Sequence, residues 1–152
     1  MAIQTIYCVI FSCCAALLFP FGILAEARPC PVEWVQQAID ATNIYRVEHG
    51  SAPLELHSGL TQAAANRAHT LTQRGELSHE GWLNSVADFR EPGTSFAENI
   101  AYGYSSGLKT SRMWYGSVPH KANMLEPKFT STGIGCFLDH TGIPWWAQLF
   151  KN

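Results

Sequence analysis

The sequence predicts an α+β fold, a three-layer αβα sandwich with helices packed on a small central antiparallel sheet. Two helical patterns come first, each closed by a glycine, and two strand-like patterns joined by a Gly-Ile-Pro turn come last. Helices followed by strands settle into separate layers, because a helix stripe and a sheet face must each be buried against another element.

The first 27 residues stand apart. They contain no Lys or Arg, and residues 6–24 are apolar except for breaks at Ser12, Pro20 and Gly22. The position at the extreme N-terminus and the small-x-small triplet Ala25-Glu26-Ala27 predict a signal peptide over 1–27, hence a secreted, extracellular protein. An uncleaved segment of this length would be the only route to a membrane, as an anchor. A lipidated Cys13 or Cys14 fits less well, since the apolar run continues past both. Cleavage after Ala27 leaves residues 28–152, the size of one domain with one core.

In that domain, Val35, Ala38, Ile39, Thr42 and Tyr45 or Arg46 recur at helical spacing over residues 32–49, and Gly50 stands where a helix-ending glycine belongs. Residues 51–57 form an extended connector, and Ser58 is placed to cap the next helix. Leu60, Ala64, Ala68 and Leu71 make the apolar stripe of that helix, with polar residues filling its other face and Gly75 ending it. Residues 76–96 are mostly turn and loop, interrupted by a helical turn near 83–89, and Pro92-Gly93 prevents regular structure there. Residues 97–102 read as a strand. Ser106 or Gly107 opens a helix through Tyr115. A turn over 116–119 then leads to a short helix near 120–125, stopped by Pro127. Alternation over residues 129–135 and 145–150, around the bend at His140-Thr141-Gly142, predicts an antiparallel hairpin whose sheet absorbs Trp145 and Trp146.

The formal net charge of −2 gives no electrostatic footprint for nucleic acid or for an anionic membrane surface. There is no Asn-x-Ser/Thr sequon. Of five cysteines, only Cys30 and Cys136 remain after cleavage. In an oxidising compartment they are candidates for one disulfide; the alternative is a small buried Cys136 and a free Cys30 thiol. Neither HExxH nor zinc-ribbon cysteine spacing occurs, so a common metalloprotease has no support.

Three residues suggest chemistry. Glu98 lies in an apolar stretch, where a carboxylate is costly unless it is paired or capping backbone N–H groups. His79 follows Leu77-Ser78 after the second helix, and His120 heads a short helix after Pro119; singly, each also reads as a loop or helix-start residue. His49, His57, His69 and His140 read as surface residues.

Taken together these phrases resemble the CAP superfamily, also called SCP or PR-1-like. The resemblance is carried by Asn43-x-x-Arg46 with Gly50 and Pro53-Leu54, by Leu77-Ser78-His79, and by Ala97–Gly103 (AENIAYG). It continues through Trp114, His120, Asn123, Pro127, Phe129 and Gly133-Ile134-Gly135. It implies the sandwich fold and a cleft His/acid/acid/His tetrad, here His79, Glu98 and His120, with Ser117 standing where the second acid falls. Ser at that position is closer to bacterial-type members. The resemblance implies a binding module whose cleft, lined by Ser117, Trp82, Tyr102 and Trp114, receives a divalent metal, a small apolar ligand such as a sterol or lipid, or an extracellular protein. His79, Glu98 and His120 would form a first shell for Zn²⁺. The alternative is a secreted hydrolase using His120 with a metal-bound water or Ser117, since Ser117, His120 and Glu98 hold the ingredients of a Ser-His-acid arrangement.

Overall fold

In the computed structural model, which describes residues 26–152, a five-stranded sheet lies between two helical layers. The elements follow in order as β1 (Arg28–Pro29), α1 (Val32–Glu48), β2 (Glu55–Leu56) and α2 (Ser58–Arg74). A 3₁₀ helix (Trp82–Phe89), β3 (Phe96–Tyr102), α3 (Gly107–Gly116), α4 (Val118–Leu125), β4 (Ser131–Leu138) and β5 (Pro144–Lys151) complete the chain. The strand order is β1-β4-β5-β3, all antiparallel, with β2 added to β4 in parallel. The expected sandwich and C-terminal hairpin are both present. The expected signal segment falls outside the described residues except for Glu26 and Ala27.

Alternation along β5 builds both cores at once. Trp146 and Phe150 pack with Ala38, Ile39, Trp114 and Met124 on the side of α1, α3 and α4. Trp145, Ala147 and Leu149 pack with the α2 stripe Leu60, Ala64, Ala68 and Leu71 on the other side. Because both faces are covered, all of β5 except Lys151 is buried. On β4, Gly133 and Gly135 face α2, where a Cβ would run into the backbone of Leu60–Thr61 and Ala64–Ala65 respectively. The helix therefore rests directly on the strand.

The helix ends follow local chemistry. Gly50 (φ 76°) closes α1, with its N–H donating to Val47 O and that of Ser51 to Arg46 O, a Schellman motif. Gly75 (φ 63°) closes α2. The N-cap of α2 is His57 rather than Ser58: the ring Nδ1 accepts from Leu60 N at 3.2 Å, and Ser58 is the first helical residue. His57 and His69 are half-buried, the latter against Phe137, so neither is a free surface residue. Instead of a four-residue turn, Ser117 alone joins α3 to α4.

Arg46 is fully buried at the end of α1. Its guanidinium donates to four carbonyls: Ala52 (2.7 Å), Met124 (2.8 Å), Glu126 (3.0 Å) and Phe129 (2.9 Å). Burial pushes its pKa down, opposed by the Glu126 carboxylate. Asn43 holds the same connector by exchanging two bonds with the backbone of Leu54.

Cys30 and Cys136 are bridged, with Cα atoms 5.3 Å apart, which decides between the two readings of this pair. A loop of 106 residues closed in this way contributes about 5 kcal/mol through the unfolded chain.

Asp139 organises the β4–β5 turn. It accepts from Thr141 N (2.9 Å) and Oγ1 (2.6 Å), Ile143 N (3.0 Å) and Trp145 Nε1 (2.9 Å). Burial alone would raise its pKa, but the bonds from the Thr141 and Trp145 side chains and the Ile143 and Thr141 backbone lower it to about 2. A carboxyl depressed in the folded state stabilises above its ordinary value of 3.8, and that contribution drains away as pH falls towards 2. The Tm gap between wild type and Asp139→Asn should be present near neutral pH and close on acidification through this window. A gap independent of pH would refute the assignment.

Candidate functional site

Helix α2 and strand β3 meet at one charged pair. Arg67 lies three residues after Ala64 and four before Leu71, so helical phase turns it inward with the apolar stripe. Glu98 lies on the face of β3 that looks towards α2. The two side chains are 3% and 1% exposed, with Arg67 Nε donating to Glu98 Oε2 at 2.7 Å and Nη2 to Oε1 at 3.4 Å. The remaining guanidinium hydrogens reach the Ser78 carbonyl and, at 3.3 Å, the Glu80 carbonyl.

His79 stands between those two carbonyls, and its side chain is 55% exposed. Its Nδ1 lies 2.8 Å from Glu98 Oε1. A carboxylate held by a guanidinium only accepts, so Nδ1 carries the proton of this bond and Nε2 takes no part in it. The second imidazole is positioned from the opposite layer. Asn123 Nδ2 donates to Glu98 O (3.2 Å) and Asn99 Oδ1 (2.9 Å), while Asn99 Nδ2 donates to His120 O (3.1 Å), fastening α4 to β3. His120 Nδ1 is buried and has no hydrogen-bond partner among the described residues. Burial first, and the charge of neighbouring His79 second, hold the His120 pKa below the ordinary imidazole value. His120 is therefore neutral at pH 7 and electrostatically coupled to His79.

The structure thus gathers His79 and Glu98 and sets His120 close enough to feel His79. It does not make Glu98 a free ligand, because both carboxylate oxygens are already engaged. Among the described residues, no group of three or more His, Cys, Asp or Glu side chains is arranged to hold a metal ion. Because Glu98 is engaged on both oxygens, a Zn²⁺ drawing on His79 and His120 would have to take its remaining donors from elsewhere. Glu98 orients His79 and not His120, and Ser117 forms the junction of α3 and α4.

The expected cleft lining also changes. Trp114 is fully buried, its indole donating to Ile100 O at 3.0 Å, and belongs to the core. Trp82 is half-buried against the α2 side of the core. Tyr102 is 42% exposed and lies against Trp145, with centroids 4.4 Å apart. Arg67, Asn99 and Asn123 organise the site without having been foreseen as its parts. The helical phase of Arg67, together with a carboxylate in an apolar strand, was the available signal.

The family model described as CAP, the cysteine-rich secretory protein family, matches residues 39–150. An uncharacterised membrane protein of Bacillus subtilis (strain 168), YlbC, is 30% identical over 105 residues, 66% of this chain and 30% of its own length. The chain spans less than half the length of the curated relatives it matches. An extracellular SCP-domain protein of Bacillus anthracis str. Ames superposes with a TM-score of 0.67 at 24% identity, over 76% of this chain and 39% of that one. An outer surface protein of Borrelia burgdorferi gives 0.73 at 15% identity, over 84% and 98%. These two likenesses are likenesses of fold. No helix among the described residues is long and apolar enough to cross a membrane.

Proposed function

Because the chain belongs to the CAP family of cysteine-rich secretory proteins, with bacterial relatives, we propose that it is a secreted binding module that works without metal and without turnover. The observation that carries this reading is the engagement of both Glu98 oxygens, by Arg67 and by His79. That contact leaves neither a third metal donor nor an acid to orient His120 as a base. What remains is a rigid face on which a half-exposed imidazole is held through Nδ1, leaving Nε2 to hydrogen-bond a ligand.

A small apolar ligand is a second reading, favoured by a different surface. Two adjoining hollows of about 400 and 450 Å³ run along α1, sharing Asp40 and Ile44 and bordered by Leu108 and Val47. Ile44, Val47 and Leu108 are 57%, 61% and 48% exposed.

Thermal unfolding with and without Zn²⁺, and with a chelator, tests the first reading. A metal bound to the folded form would raise Tm by mass action. The wild type should show no shift, and no turnover of ester or peptide substrates. A Zn²⁺-dependent rise abolished by His79→Ala or His120→Ala, or hydrolysis lost in those variants, would sink it. For the second reading, native mass spectrometry after exposure to sterols and fatty acids should find adducts that Ile44→Asp removes.

A further inference from the structure

We propose that the Arg67 guanidinium is the resident cation of this site, filling from within an oxygen-lined cradle that would otherwise take a hard divalent ion. The inference rests on the reading that the domain works without metal, and it explains why. Everything that Arg67 touches in the site is oxygen: both oxygens of Glu98 and the carbonyls of Ser78 and Glu80. A buried carboxylate with two part-buried backbone carbonyls, all convergent on one cation, is the donor chemistry of Ca²⁺ or Mn²⁺ rather than of Zn²⁺. These oxygens come from β3 and from the loop after α2, while the cation comes from α2 itself. Arg67 therefore ties three segments together as a structural ion would.

Its effect falls on His79. The two carbonyls that Arg67 holds belong to the residues on either side of His79, and the carboxylate it neutralises accepts from the His79 ring. Backbone and ring of one residue are thus set by one cation. Arg67 is a positioning residue acting through Glu98 and the Ser78–Glu80 loop. Arg74 also donates to Glu80 O at 3.3 Å and could swing towards a vacated cradle, so it is included in the test.

Mn²⁺ binding is followed by loss of the free-ion paramagnetic resonance signal, and Ca²⁺ binding by thermal shift, for wild type, Arg67→Ala and Arg67→Ala/Arg74→Ala. The wild type should leave the Mn²⁺ signal intact. The variants should take up one ion per chain, with a raised Tm, and should lose both effects when Glu98→Gln is added. Millimolar methylguanidinium should restore the Tm of Arg67→Ala, while methylammonium should not restore it to the same extent. A folded Arg67→Ala that gains neither metal nor methylguanidinium stabilisation overturns the proposal while leaving the metal-free reading standing. If Arg67→Ala does not fold alone, folding regained with Mn²⁺ or methylguanidinium supports the proposal, and failure of both overturns it. Glu98-dependent uptake of metal by the wild type would overturn both the proposal and the reading beneath it.

Discussion

Replacing Glu98 by alanine is expected to lower folding stability by about 3–5 kcal/mol, read from urea unfolding, because it leaves the Arg67 guanidinium buried without its counter-ion. Set against a total stability of about 5–15 kcal/mol for a domain, this is a large fraction. The same change frees the His79 ring. Arg67→Met/Glu98→Ala should be less destabilised than the sum of the two single changes, because most of each single loss is the penalty of an unpaired buried charge. Strict additivity would mean that the two groups do not act as a unit. Loss of under about 0.5 kcal/mol on Glu98→Ala, the scale of an ordinary surface change, would mean that the pair is not buried as described.

Gly135→Val should prevent stable folding outright. A Cβ at Gly135 meets the backbone of Ala64 and Ala65, and backbone cannot move aside as a side chain can. Helix α2 would have to lift from β4 and uncover Leu60, Ala64, Ala68 and Leu71. The expected loss exceeds about 4–5 kcal/mol, beyond the range of most point changes. Gly116→Ala is the control: nothing lies within 4 Å of a Cβ placed there, and its φ is not positive. Circular dichroism should show native structure for the control and its loss for Gly135→Val. A folded Gly135→Val protein would mean that α2 does not rest on the strand.

What could be read from the sequence was what local geometry dictates. Gly50 and Gly75 mark helix ends because positive φ is easy for glycine alone, and the Leu60–Leu71 stripe marks a buried face because its period is helical. The hairpin followed from alternation and from the 140–144 turn. The errors concern partners distant in sequence. The charge of Arg67 suits the polar face of α2 although its phase is inward, and only its meeting with Glu98, 31 residues away, shows why a cation can be buried there. His57 took the cap from Ser58 because its ring nitrogen reaches Leu60 N, a competition that residue preference does not resolve. Trp114, which the resemblance puts in the cleft lining, is fully buried in the core. The parallel pairing of β2 with β4 joins Glu55 to Ser131 and leaves no local mark in a two-residue strand.

The Cys30–Cys136 bridge encloses nearly every connection in the domain. The loops between α1 and α2, around the 3₁₀ helix, between β3 and α3, and between α4 and β4 all lie inside it. A protease cut in any of them would yield two pieces still covalently joined and packed, separable only after reduction. The exception is the β4–β5 turn, which lies beyond Cys136. A cut there would detach β5, the strand that pairs with both β3 and β4 and contributes to both cores. That turn is the one in which Asp139 gathers four hydrogen bonds. The fold thus places a turn fastened by four side-chain hydrogen bonds where a single broken peptide bond would cost it a strand.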